Sequence, residues 1–289
     1  FDGINFVSKK VLQYAVIFLG FGLNIMDVVH VGITSLPVII STIATSLIVA
    51  YIMYKVMKID SQIAVLVGVG SSICGGSAIA ATAPVIKADS EKIAQAISVV
   101  FFFNVVAAFV FPSLGQFLHM STSGFGLFAG TAVNDTSSVT ATAAIWDGMM
   151  GTGTQALDYA TIVKLTRTCA IIPIVLVLAA YGVMKAKRNQ TSQGEPVKVS
   201  KIFPHFIIYF VLASVFTTAC IYFGAQASDF KPLKELAKFM ITMAMLAIGL
   251  NTNVVKLIKT GGKALALGLV CWVAISVVSL YVQHLIGQW

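Results

Sequence analysis

Charge is scarce in this chain. Only 10% of its 289 residues are Asp, Glu, Lys or Arg, 58% are hydrophobic, and the mean hydropathy is +0.92. A soluble domain carries roughly 25% charged residues, so this chain has too few to coat a water-facing surface. Cysteine is sparse too. Cys74, Cys169, Cys220 and Cys271 are scattered through apolar surroundings with no CxxC pair, which excludes a zinc ribbon or a disulfide framework. Buried thiols of this kind usually pack inertly; Cys74 stands apart because it lies within an interrupted stretch described below. Walker A loop, nucleophile elbow and HExxH helix are all missing, so no enzyme activity, metal or cofactor is expected. The net charge of +8 raises nucleic acid as a partner, but no basic stripe with interleaved aromatics occurs. Basic excess in so apolar a chain belongs to the cytoplasmic loops of a membrane protein.

What the chain has is apolar runs of about 20 residues, enough to span roughly 30 Å of hydrocarbon. The expected fold is an all-α polytopic membrane protein, a single transmembrane domain over 1–289 with the lipid bilayer as its surroundings. Helical segments are predicted over about Val11–Val29, Ile33–Tyr54, Ile93–Phe111 (ended by Pro112), Tyr159–Met184, Phe206–Phe223, Leu236–Leu250 and Ala264–Leu285. The polar stretch 185–203, with Gln190 to Pro196, reads as a cytoplasmic linker. No cleavable signal peptide is evident.

Two small, polar, Gly-rich stretches interrupt this pattern, Ser71–Pro84 and Gly130–Ala143. Shifted by 60 positions, Ser77, Ala81, Thr82 and Ala83 fall on Ser137, Ala141, Thr142 and Ala143. Irregular backbone at membrane depth survives only where protein buries it or a wet cavity meets it. A matched pair of such interruptions points to the binding site of a secondary transporter. If each interrupted segment (about Ile63–Lys87 and Gly124–Trp146) is a re-entrant hairpin, nearly all lysines outside the segments face one side. Only Lys231, Lys234 and Lys238 face the other. If each crosses fully, Lys87 and Lys92 change sides. Both arrangements put Phe1 and the 185–203 loop in the cytoplasm of a multi-pass protein of the bacterial inner membrane. The hairpin arrangement fits the charges better and brings the two interruptions in from opposite faces, as an inverted repeat would. A second echo, Phe18–Asn24 with Met245–Asn251, lies on segments of opposite direction and supports the same symmetry.

Asp135, at the centre of the second interruption, is the leading candidate residue. A carboxylate at membrane depth is expected to pair, to bind a cation or to take up a proton, with Asn134 and Thr136 beside it as ion-coupling partners for Na+ or H+. Its structural alternative is capping the second half-helix. Lys164 and Arg167 share a helix face at i and i+3. They suit anion attraction or a salt bridge with Asp135, against a structural reading in which they snorkel to the outer interface. Gly75, Gly76 and Ser77 can offer backbone N–H groups at a half-helix N-terminus. Thr131, Asn134, Ser137 and Ser138 add polar side chains, with Thr136 and Thr140 nearby; close helix packing is the alternative use of such small residues. Asn24 and Asn251 read as helix terminators more than midplane contacts. His30, His119, His205 and His284 lie near segment ends without ligand spacing.

At these residues the chain resembles the YeiH-type bacterial membrane proteins, which are described as sulfate exporters. Ser72–Ile86 looks like their first signature, Gly130–Asp135 like their second and Val163–Arg167 like a third, while Gly249–Asn251 falls where they have a similar late motif. The resemblance covers essentially the whole chain. It implies kinship with the bile-acid symporter and cation–proton antiporter group, and hence an inverted-repeat fold with broken helices crossing at the midplane. Two departures stand out. Many similar proteins carry His then Glu where this chain has Asn134 and Asp135, and a Gln-Val-Val-Ala-Ala run where it has Ser138–Thr142, which speaks against a histidine-based proton step. They also have hydrophobic sequence before the position of Phe1, so further N-terminal segments are expected. Together these features predict a secondary transporter exporting a small anion such as sulfate or an organosulfonate. The alternative is a cation-coupled carrier or antiporter whose substrate is not an anion. A homo-oligomer is compatible with either.

Overall fold

The computed structural model describes the chain except for residues 1, 2, 4, 5, 22, 84, 171–173, 175, 176, 179, 181–204 and 252–261. The predicted 185–203 linker thus lies outside the described residues, as do Pro84 and Pro173. In chain order the described helices are α1 (Leu12–Gly20, entered through a π-helical turn at Val7–Val11), α2 (Ile25–Thr34), α3 (Leu36–Met57), α4 (Ser61–Ser72), α5 (Gly76–Thr82), α6 (Ser90–Phe117), α7 (Thr122–Ala132), α8 (Thr136–Met150), α9 (Gln155–Thr168), α10 (His205–Tyr222), α11 (Lys231–Asn251) and α12 (Gly262–Leu285). No strand occurs among the described residues. Among the described residues three helices, α3, α6 and α12, are long and apolar enough to cross a membrane, and a fourth crossing results if α1 and α2 count as one bent span.

Three predicted segments need correction. The run Val11–Val29 is not continuous: it bends by 111° between α1 and α2. Asn24 explains the restart, because its side chain accepts the Met26 N–H at 2.8 Å as the N-cap of α2. Asn24 is therefore a helix-end residue; the Asn251 side chain lies outside what is described. Pro112 does not end its helix, since α6 continues to Phe117. A proline removes a single N–H from the ladder, and a helix held by packing on both sides of that point tolerates the loss. Residues 159–184 do not form one uninterrupted span, because α9 stops at Thr168.

Both interrupted segments fold back on themselves. At the first, Gln62 in the opening turn of α4 donates to the Lys87 carbonyl at 3.2 Å and accepts from the Asp89 N–H at 3.4 Å. Asp60, the N-cap of α4, pairs with Lys92 at 2.9 Å. The chain therefore enters α4 and leaves α5 at one place. At the second, Phe125 of α7 lies about 12 Å before the break, and Trp146 of α8 about 16 Å after it, at 1.5 Å per residue. A straight passage would leave these rings roughly 30 Å apart, yet they stack with centroids 4.1 Å apart.

The long helices measure the distance between the two mouths. Lys92 near the start of α6 sits at the first mouth. Gly115 near its end sits at the second, where an added Cβ would lie 2.5 Å from Phe125 and 2.9 Å from Trp146. Those two points are about 35 Å apart along the helix. α12 runs the same course: Lys263 donates to the Met57 carbonyl at one end (3.2 Å), and Trp289 beyond its other end donates to the Leu118 carbonyl (3.2 Å). The two folded segments thus enter from opposite ends of the molecule. Close backbone approach holds α9 against the second one. Gly126 and Gly130, one helical turn apart on α7, would place Cβ atoms 2.9 Å from Tyr159 and 2.7 Å from Val163 of α9. Small residues at i and i+4 allow this approach.

Candidate functional site

The two breaks meet. Gly75 holds φ +67° and ψ −125°, a conformation open to glycine and strained for other residues. A Cβ there would lie 3.4 Å from the Asp135 Cβ and 3.7 Å from the Asn134 carbonyl carbon. The tip of the first folded segment therefore rests on the tip of the second.

Lys164 and Arg167 lie beside this contact and are wholly buried. Their shared face of α9, recognised from the i, i+3 spacing, points at the tips. Lys164 Nζ donates to the Ile73 carbonyl and, at 3.2 Å, to that of Val133. Arg167 Nε donates to the Ser72 carbonyl at 2.9 Å and Nη2 to that of Ser71 at 2.7 Å. Nη1 reaches the Val133 carbonyl at 3.3 Å, and Nη2 also reaches Asn134 Oδ1 at 3.4 Å. These carbonyls are the last of α4 and α7, groups that a helix cannot satisfy internally. Both cations thus cap two half-helix C-termini at once, where the macrodipole is negative. Snorkelling toward an interface is thereby corrected: wholly buried cations that donate to the carbonyls of both breaks are not reaching for water. The expected salt bridge to Asp135 is also corrected. The carbonyls occupy the cations, and Asp135 enters no ion pair among the described residues.

Asp135 instead caps α8. Its Oδ2 accepts the Ser137 N–H at 3.0 Å and the Ser137 hydroxyl. The carboxylate is half-buried, as is Thr136; Gly76 is likewise half-buried and Ser77 is exposed. These four residues are the accessible part of the tips. Behind them Gly75, Asn134, Ser137 and Ser138 are buried. Thr131 does not join the tips: it lies back along α7, with its Oγ 2.7 Å from Ser279 Oγ of α12 and donating to the Leu127 carbonyl. Thr140 donates to the Ser137 carbonyl within α8 (2.8 Å). Among the described residues no cluster of three metal-ligating side chains occurs.

Two contributors were not anticipated from sequence. Asp147, 4% exposed, accepts the N–H groups of Ala156 (3.1 Å) and Leu157 (2.9 Å) and so fixes the start of α9. Asn104, on α6, accepts the Asn134 N–H through Oδ1 at 3.0 Å and is fully buried. The signal for Asn104 was there: it is a lone polar residue in the apolar run Val99–Phe111, and intramembrane polar residues usually have work to do.

The sequence has clear relatives among known proteins. A family model described as "Conserved hypothetical protein 698" matches residues 1–268. The chain belongs to this family. Relatives named UPF0324 membrane proteins include one from Streptococcus mutans, 60% identical over 99% of this chain and 84% of its own length. Another, from Fusobacterium nucleatum, is 60% identical with the same coverage. A third, from Streptococcus agalactiae, is 59% identical over 99% of this chain and 84% of the relative. The YeiH-type resemblance fits this membership, and the chain is a membrane protein. No solved structure matches it.

Proposed function

We propose that this protein is a secondary active transporter that exports a small anion, such as sulfate or an organosulfonate, by alternating access. The observation that carries the reading is the meeting of two folded-back segments, entered from opposite ends of the molecule, beside two fully buried cations. In a bilayer these segments are re-entrant hairpins of an inverted repeat, with the site near the midplane. The mouth of the first hairpin, with Lys58, Lys87, Lys92 and Lys263, belongs on the cytoplasmic side of the bacterial cell membrane. Phe1 and residues 185–203 belong to that side too.

Electrostatics favours an anion. Each half-helix C-terminus carries about half a negative charge, and the N-terminus of α8 about half a positive one. Lys164 and Arg167 outweigh Asp135 and the two C-termini once the α8 N-terminus is included. Because the cations are spent on carbonyls, they attract the substrate through the field, while Gly76 and Ser77 N–H groups and the Ser137 and Ser138 region contact it. Purified protein in proteoliposomes, loaded with labelled sulfate or methanesulfonate and tested with and without Na+ and pH gradients, is the direct assay. Flux of either anion above empty vesicles supports the reading; no flux of any anion sinks it.

A second reading rests on Asp135, a half-buried carboxylate whose hydrogen-bond partner among the described residues is Ser137. With Asn134 and Thr136 it would hold a coupling Na+ or H+, and in the cation-coupled alternative it would serve a non-anionic substrate. Asp135→Asn separates these. Anion flux that persists but loses its dependence on the ion gradient assigns coupling to Asp135. Wild-type movement of Na+ or H+ with no anion present favours the alternative.

A further inference from the structure

Asn104 sits half-way along α6, about 20 Å from either end, and so at the depth of the Gly75–Asp135 contact. Its side chain is fully buried and orientated by one bond: Oδ1 accepts the Asn134 N–H at 3.0 Å. That leaves Nδ2 with two N–H groups and no partner among the described residues. Carboxamide N–H groups buried without an acceptor are costly, and native structures keep few of them. A leucine would fill the same space in this apolar run without that cost. The second hairpin break, the Arg167 guanidinium and this amide form one connected line, since Asn134 Oδ1 lies 3.4 Å from Arg167 Nη2.

We infer that Asn104 is a substrate-binding residue, whose Nδ2 donates to an oxygen of the anion while Oδ1 holds the break of the second hairpin. The inference rests on the anion-carrier reading and deepens it. A donor pair that finds no protein acceptor calls for an acceptor on the ligand, and the surrounding positive field favours one that is charged. The same amide would then sense both the substrate and the hairpin backbone. The Asn134 N–H holds Oδ1 on the hairpin side, so the group left for a ligand is the donor Nδ2, which suits an anion.

The test is equilibrium binding of labelled sulfate and methanesulfonate to purified protein, with thermal unfolding measured alongside. Asn104→Asp keeps the acceptor for the Asn134 N–H and replaces the donor with an acid. Burial favours the protonated carboxyl, so binding is expected to weaken at least tenfold as the pH is raised and the acid ionises, and to recover as the pH is lowered, where a protonated carboxyl can donate again. Asn104→Ser, whose shorter side chain withdraws the donor from the anion, is expected to lose affinity without acid rescue. If the folded Asn104→Asp protein binds the anions as tightly as wild type at every pH, or the folded Asn104→Ser protein does so at neutral pH, Asn104 is structural and the inference is overturned. If wild type binds neither anion, the anion-carrier reading fails and this inference falls with it; that outcome is distinct from a wild type that binds with variants that match it.

Discussion

Arg167→Lys is the most informative single change, because it keeps the charge and removes the fork. Arg167 joins the two hairpins: Nε and Nη2 hold Ser72 and Ser71 at 2.9 and 2.7 Å, while Nη1 reaches Val133 at 3.3 Å. A lysine ammonium is one point on a flexible stem and lacks the guanidinium's spread of donors, so it cannot hold Ser71, Ser72 and Val133 together. Either the two short charge-assisted bonds to Ser71 and Ser72 or the link to Val133 must go. Each such bond contributes roughly 1.5–3 kcal/mol, and water or a shifted ammonium recovers part of it, so a loss of about 2–4 kcal/mol is expected. In a chain of this size that lowers the unfolding midpoint by about 3–7 °C. Intrinsic tryptophan fluorescence during heating in detergent reads it, since Trp146 stacks at the mouth of the second hairpin. Arg167→Met should cost more, because it also strips the charge from two helix C-termini. If Arg167→Lys unfolds within about 1 °C of wild type, the guanidinium is not what clamps the tips, and the bracing argument fails.

Gly75→Ala forces a side chain onto φ +67° against Asp135; a cost of about 1–3 kcal/mol and loss of transport are expected, read by unfolding and flux together. A Lys92 hydrogen bond, the largest influence, holds the Asp60 carboxyl below its ordinary value of 3.8 despite opposing desolvation. Such a depressed group adds stability above its unfolded value that is lost as pH falls through the folded one. Wild type should therefore lose stability below about pH 4 more steeply than Asp60→Asn, as pH-dependent unfolding would reveal. Asp158 of α9 pairs with Lys234 of α11 at 2.7 Å with both side chains mostly buried; a double-mutant cycle of alanine variants should return a coupling of about 1 kcal/mol, and additive effects would deny the pair any energetic role.

The two interruptions were legible because Gly, Ser, Asn and Asp rarely gather at mid-membrane unless the backbone breaks there. Asp135 as an α8 cap and the shared face of Lys164 and Arg167 followed from local rules of three or four residues. What those rules could not supply is where a face points. In α12 one side packs on protein and the other is exposed, yet both are apolar, so periodicity carries no direction. Hence Lys164 and Arg167 read as well for an interface as for the centre of the fold, and only the carbonyls of Ser71, Ser72, Ile73 and Val133 decide between them. The fold-back of each interrupted segment depends on contacts such as Gln62 with Lys87 and Phe125 with Trp146, which no local pattern encodes. The break at Phe21–Asn24 is hidden in the sequence because a single Asn cap is a weak mark inside an apolar run. Pro112 is the opposite case: packing along α6 overrides a strong local breaker.

If the protein carries an anion, that anion binds at the touching tips. Ser77 is exposed there, so Ser77→Cys in a background lacking Cys74, Cys169, Cys220 and Cys271 offers a direct probe. Its reaction rate with a thiol reagent, measured in proteoliposomes with and without saturating sulfate or methanesulfonate, reports occupancy of the site. Protection by one of these anions, and not by chloride at equal ionic strength, is the predicted result. Labelling at an unchanged rate in both, from a protein that transports the anion, would place the substrate elsewhere and contradict a site at the tips.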